Sequence, residues 1–270
     1  MKRKIIIIVI LVICIIAVNY AIYWQLFSKD SNSNQEIETP IIEEGKMLKD
    51  FNELFKNNVD YQIYDIQGLQ KNDFSKDMIY TGYQKQEEKE NSYELDVNLP
   101  VININSTEAA NINKEIENIY RTPINTILAG TLRKTIYSVD YQAYINSNIL
   151  SLVIKSTYKD GDNPQRVIVS TYTYNLSTNE ILKLADVLSI KNLSSTAVTN
   201  EIKSKIKEAA VAAQKLKELG YSIYERNTED TMYSIENTTS FFLGKNNSLY
   251  ILYPYGNSND TSEIDIIVFE

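Results

Sequence analysis

Apolar and polar residues follow three regimes along this chain. Residues 5–27, "IIIIVILVICIIAVNYAIYWQLF", contain no charged side chain. At ~1.5 Å rise per residue, a helix of that length crosses a hydrocarbon layer ~30 Å thick. Residues 28–44, "SKDSNSNQEIETPIIEE", are polar and acidic with one proline and read as a stalk. From residue 45 onward, apolar positions recur at the short helical and strand periods of a folded domain.

In "GKMLKDFNELFKNN", Met47, Leu48, Phe51, Leu54 and Phe55 have helical spacing and predict a first packed helix rather than a continuation of the stalk, since the two phenylalanines would otherwise be wet. Two strand-like runs, "DMIYTGYQKQ" and "NSYELDVNLPVININ", flank the charged turn "EEKE", and Pro100 marks an edge or a bend in the second. Ser106 as N-cap, Glu108 in the first turn, and Ala109, Ile112, Ile116 and Ile119 on one face predict a helix. Thr122-Pro123 opens a second, which Gly130 closes. A meander follows: "TIYSVDYQAYI", "ILSLVIKSTY" and "QRVIVSTYTYNLST", joined by the turns "NSN" and "KDGDNP". Ile202, Ile206, Ala209, Ala213 and Leu216 then define the longest helix of the region, ended by Gly220. Strands around Phe241, Leu249–Tyr253 and Ile264–Val268 complete the chain. Strands grouped with a few helices between them predict an α+β fold, its sheet mainly antiparallel, preceded by one N-terminal transmembrane helix.

Charge fixes the expected orientation of that helix. Lys2, Arg3 and Lys4 lie on its short side, and Tyr20, Tyr23 and Trp24 form an interfacial belt at the other end. The positive-inside rule then gives a cytoplasmic tail at residues 1–4, a signal anchor at 5–27 in the lipid bilayer, and everything else outside the cytoplasm. A cleaved signal peptide would have a shorter apolar core followed by small residues, and a lipid-modified Cys14 would follow a small residue where Ile13 stands. The uncleaved anchor fits better than either.

Composition then narrows the chemistry. The chain has 27 basic and 35 acidic residues. Without the three basic residues of the tail, the outer part carries 24 against 35, a net charge of −11. Such a surface disfavours nucleic acid and suits a basic partner. The one cysteine lies in the apolar segment, so no disulfide supports the outer part. Histidine is absent. The usual zinc sites and the Ser-His-Asp and Cys-His catalytic sets are therefore impossible, and no cofactor is expected.

The remaining chemical candidates are few. Tyr253-Pro254-Tyr255, followed by Asn257, Asn259 and Asp260, has two readings. Either Tyr253 packs inward, Pro254 ends the strand and Tyr255 covers the sheet edge, or an exposed pair forms a ligand-binding patch of Tyr253, Tyr255, Asn257 and Asp260. Asp160–Asn163 has oxygen ligands at tight spacing, but it joins two strands and reads as a hairpin turn rather than a Ca²⁺ loop. The strand tyrosines, such as Tyr137, Tyr141, Tyr172 and Tyr174, read first as half-buried sheet residues.

Residues Ser170–Glu270 carry a resemblance. "STYTYNLSTNEILKLADVL", a long amphipathic helix and "SLYILYPYGNSNDTSEIDIIVF" resemble the family called domain of unknown function 3298 (DUF3298). Upstream, "VNLPVININSTEAANINKEIENIY" is similar to the companion family 4163, and the two would divide the chain at 45–130 and 131–270. The resemblance implies envelope proteins of Gram-positive bacteria, including the outer part of a lysozyme-sensing anti-sigma factor, and association with polysaccharide deacetylase domains. This chain departs from both contexts. Only "MKRK" would face the cytoplasm, and no histidine could bind a deacetylase metal. The expectation is a non-catalytic binding or sensing module on an anchor, with a cell-envelope protein or glycan as ligand. The alternative is an envelope glycan hydrolase using paired carboxylates.

Overall fold

The computed structural model describes residues 44–48, 50–55, 59–60, 69–131, 133–257 and 259–270. All of them belong to one compact unit, Ile41–Glu270. The expected anchor at 5–27 and nearly all of the stalk lie outside the described residues. Among the described residues no helix is long and apolar enough to cross a membrane.

The unit is α+β. Its strands are β1 (Lys46–Met47), β2 (Val59–Asp60), β3 (Ile79–Lys89), β4 (Tyr93–Ile102), β5 (Thr135–Asn146), β6 (Ile149–Asp160), β7 (Arg166–Asn175), β8 (Glu180–Ile181), β9 (Phe241–Leu243), β10 (Leu249–Tyr255) and β11 (Glu263–Phe269). Its α-helices are α1 (Thr107–Ile116), α2 (Thr122–Ala129), α3 (Leu184–Ile190) and α4 (Ser195–Glu218); a π turn at Glu117–Arg121 joins the first two. The larger sheet runs β3-β4-β5-β6-β7-β8 with β2 beside β5, and the smaller runs β1-β11-β10-β9. Pairing is antiparallel except at β4–β5 and β2–β5. A parallel pair requires a crossover, and α1, the π turn and α2 supply it between β4 and β5. That pair joins strands on either side of residue 130 into one sheet.

One face of the larger sheet is covered by the crossover helices. Tyr137, Val139, Tyr141, Ala143 and Ile145 of β5 share it with Leu150, Leu152 and Ile154 of β6, Tyr172 and Tyr174 of β7, and Ile112, Ile116, Ile124 and Ile127 of the helices. The strand tyrosines are core residues, as the alternation indicated, with Tyr137, Tyr141, Tyr172 and Tyr174 all buried. "ILSLVI" in β6 does not alternate because its opposite face is buried as well, against the smaller sheet. There the free edge of β9 is satisfied by side chains of the larger sheet. Leu243 N donates to Ser151 Oγ at 2.9 Å, Phe241 N to Thr171 Oγ1 at 3.0 Å, and Thr173 Oγ1 to Phe241 O at 3.2 Å.

Pro100 does mark an edge. β5 pairs with β4 only from Tyr93 to Val97, so Pro100 sits where β4 has β3 alone as a neighbour. The register shifts opposite it at Gly82, where any Cβ would collide with Val101. Past the proline, Asn113 of α1 replaces the missing strand. Its Nδ2 donates to Ile102 O at 2.9 Å, and its Oδ1 accepts from Ile102 N at 2.8 Å. Asn113→Ala is expected to cost about 1–3 kcal/mol by leaving both backbone groups unpaired, measured by urea denaturation; unchanged stability would show that solvent replaces the amide.

The helix expected from Met47 to Phe55 does not form. Lys46 and Met47 pair with Val268 and Ile267 as strand β1, which sends Met47 and Leu48 to different cores. Only Phe51–Phe55 coils, as one 3₁₀ turn whose two phenylalanine rings meet edge to face at 5.1 Å. Two-residue strand pairing overrides a helical pattern this short.

Candidate functional site

β10 alternates strictly, so Tyr253 and Tyr255 point to the same face and Pro254 to the other. That face is the inner one, against α4 and the segment around Tyr233. Both tyrosines are buried, at 2% and 9% exposure, and Pro254 is the exposed member. The exposed tyrosine pair is therefore not formed; Tyr253 packs inward as the first reading has it, but Tyr255 packs inward too, and the strand runs on through Pro254 to Tyr255. Pro254 is tolerated because β9 pairs with β10 only as far as Ile251.

The tyrosines nevertheless lead to a connected polar cluster. Tyr255 Oη donates to Asp265 Oδ2 at 3.0 Å and lies 2.7 Å from Tyr233 Oη. Tyr233 stacks edge to face on Tyr253, whose hydroxyl meets Thr238 Oγ1 at 3.2 Å. At the centre is Arg226, its side chain 6% exposed. It grips Asp265 with two nitrogens, at 3.0 and 3.1 Å, reaches Glu263 Oε2 at 2.7 Å, and donates to Tyr224 O at 2.6 Å. Its guanidinium also lies 4.7 Å from the Tyr255 ring centre. Burial opposes the arginine's charge, but the two carboxylates outweigh it and raise its pKa above the usual value. Burial also lifts the hydroxyls, taking Tyr253 up to about 12 and Tyr255 higher still, the latter helped by Tyr233 and Asp265.

Asn257 and Asp260 close the outer end. Asn257 N donates to Tyr224 Oη at 2.8 Å, and Asp260 accepts from Ser222 Oγ at 2.7 Å and Asn257 Nδ2 at 3.0 Å. Those hydrogen bonds hold the Asp260 carboxyl below its ordinary pKa. The loops at 221–226 and 256–260 thus clasp each other above the sheet. All four residues proposed from the sequence belong to this one network, two as its buried frame and two at its rim.

Beside the network lies a cleft of about 370 Å³, lined by Met47, Ala209, Ala212, Ala213, Leu216 and Ile223, with Glu208, Arg226, Glu263 and Asp265 as its charged groups. Its origin is local. The first half of α4 presses Val198, Ile202 and Ile206 onto the smaller sheet. The second half presents alanines, too short to fill the space, and Leu216, expected in the core, is 43% exposed.

The sequence reading missed Arg226, Glu263 and Asp265. A signal was present: two carboxylates at alternate positions in the otherwise apolar "EIDIIVF" share one face of a buried strand and require a cation. Both carboxylates are held by partners in this structure. Glu263 Oε1 accepts from Tyr224 N, Oε2 meets Arg226, and both oxygens of Asp265 are engaged. Asp160–Asn163 forms the β6–β7 turn, with Asn163 N donating to Asp160 O at 3.0 Å.

The fold and the cleft define an α+β domain with a clasped, acid-rich recess. No protein-family model matches the chain, and no curated protein matches it. Among solved structures it is similar to a member of the DUF3298 family from Bacteroides fragilis, at 14% identity and a TM-score of 0.34, over 63% of this chain and 79% of that one. It is also similar to a DUF3298 family protein from Pseudomonas aeruginosa, at 10% identity and a TM-score of 0.38, over 69% of this chain and 85% of that one. Likeness of this degree decides neither family nor function.

Proposed function

We propose that this chain is a membrane-anchored, extracytoplasmic binding or sensing module of the bacterial cell envelope, of the DUF3298 kind, and that it is non-catalytic. The motifs in Ser170–Glu270 and the basic-then-apolar N-terminus support that context. The observation that carries the binding role is the α4 cleft, where apolar walls surround three carboxylates and one arginine. A long basic side chain suits it: the stem lies against alanine and leucine and the head reaches Glu208 or Glu263. Glu208, itself exposed, also meets the largely covered Lys205 at 3.3 Å; Lys205 keeps Glu201 as a partner at 3.6 Å if a ligand's ammonium group takes Glu208. The ligand is thus a basic envelope-directed protein such as lysozyme, ahead of a wall glycan.

Interferometry with the full chain in nanodiscs, using lysozyme and purified wall sacculi as analytes, tests this reading. Saturable lysozyme binding that weakens steeply as salt rises is expected. Binding to sacculi alone would make the ligand a glycan, and binding to neither would remove the proposal.

A further inference from the structure

The face of the larger sheet that carries the crossover helices is not fully covered. α2 has eight residues, so it spans only ~12 Å. With the π turn before it, whose Tyr120 O accepts from Tyr137 Oη at 3.1 Å, it covers β5 but leaves the ends of β6 and β7 open. Tyr158 pairs with Arg166 and Ser156 with Ile168 in the β6–β7 register, so Tyr158, Arg166 and Ile168 share this face. Ile168 is 48% exposed among the described residues. The result is a groove in two contiguous parts that share Tyr158 and Ile168. The inner part, about 360 Å³, is walled by Pro123, Ile127, Tyr137 and three threonines. The outer part, about 410 Å³, is bounded by Asp160, Asn163, Pro164 and Arg166. Each is within the ligand-pocket range of roughly 300–1,000 Å³.

The charges at the mouth indicate what would enter. Among the described residues Arg166 forms neither an ion pair nor a side-chain hydrogen bond. The Asp160 carboxylate is approached by Asn163 Nδ2 at 3.3 Å. Lys159 Nζ donates to Asn163 O at 2.6 Å, and the Arg133 side chain lies against Gly161. Of the charged residues in this region, Asp160 and Arg166 are the two that line the groove. A half-buried arginine that makes no ion pair among the described residues, next to an exposed isoleucine and a half-buried tyrosine, matches an anion attached to an apolar body. We propose that this groove binds a small amphiphilic anion, with its carboxylate or phosphate on Arg166 and its apolar part against Tyr158 and Ile168. None of these residues lines the α4 cleft, so the two sites stand or fall separately.

Two sources supply such chemistry, a lipid chain and an N-acetylated sugar acid of the wall, and two probes distinguish them. Calorimetry on the full chain in nanodiscs, corrected with empty discs, would compare octyl phosphate, N-acetylmuramic acid and octyltrimethylammonium. Saturable binding of either anion and not of the cation is expected, and the tighter anion identifies the source. Arg166→Glu is expected to weaken that binding at least tenfold, and Ile168→Asp to weaken octyl phosphate similarly. Both positions are solvent-accessible, so circular dichroism melts of the variants should match the wild type and exclude unfolding as the cause. Equal binding of the cation, affinity unchanged in Arg166→Glu, or no saturable binding beyond empty discs would overturn the proposal.

Discussion

Arg226→Ala is expected to destabilise the domain by about 3–5 kcal/mol, because it leaves one buried and one largely buried carboxylate without their cation. Asp265 is 7% exposed, and the Glu263 side chain 22%. At roughly 2–4 °C per kcal/mol for a domain of this size, the melting temperature should fall by roughly 6–20 °C. Arg226→Lys should retain part of the stability, since an ammonium supplies charge but not the two-pronged grip on Asp265. Combining Arg226→Met with Glu263→Gln and Asp265→Asn should recover much of the loss, because a fully neutral cluster leaves no buried charge unpaired. A melting temperature unchanged in Arg226→Ala would mean that the clasp is not held by this ion pair.

Alkaline pH should unfold the domain abruptly while neutral pH leaves it unaffected. Burial raises the hydroxyl pKa of Tyr137 and Tyr253 to about 12 and drives Tyr120, Tyr172 and Tyr255 further upward. In the unfolded chain tyrosine loses its proton near pH 10. Between that pH and the folded values, the unfolded state holds fewer protons than the folded one, so stability falls as pH rises. Each tyrosine contributes a loss of about 1.4 kcal/mol per pH unit, so five together exceed a typical domain stability of about 5–15 kcal/mol within a unit or two. Tyrosinate absorbance should therefore rise together with loss of circular dichroism, in one steep step above pH 10. With no histidine to titrate, stability should be nearly flat between about pH 6 and 9. Gradual tyrosine ionisation with the fold intact would contradict the buried-hydroxyl picture.

Much of the architecture was legible because periodicity reports burial. The alternation from Tyr137 to Ile145, the face of α1 and the Ser106 cap each needed only local information. The Met47–Phe55 segment was misread because its partner, β11, lies more than two hundred residues away and pattern alone cannot see pairing. The division of the strands into two sheets was hidden for the same reason, since the hydroxyls that hold β9 sit on β6 and β7. At the candidate site, the sequence located Tyr255, Asn257 and Asp260 but not what organises them. Arg226 comes from an irregular stretch with no pattern, and only the alternating carboxylates of β11 hinted at it. The exposed tyrosine pair failed because residues two apart in a strand share a face, and the face of Tyr253 and Tyr255 is packed in the core with α4 and Tyr233.

The most direct test of the central claim, that the α4 cleft receives a basic partner, is the lysozyme affinity of the full chain in nanodiscs compared with that of Glu208→Lys. Glu208 is an exposed helix residue outside the Arg226 network, so the variant should melt like the wild type. The account predicts that charge reversal weakens lysozyme binding at least tenfold at low salt and flattens its salt dependence. Lysozyme affinity unchanged in Glu208→Lys, or absent in both proteins, would contradict it.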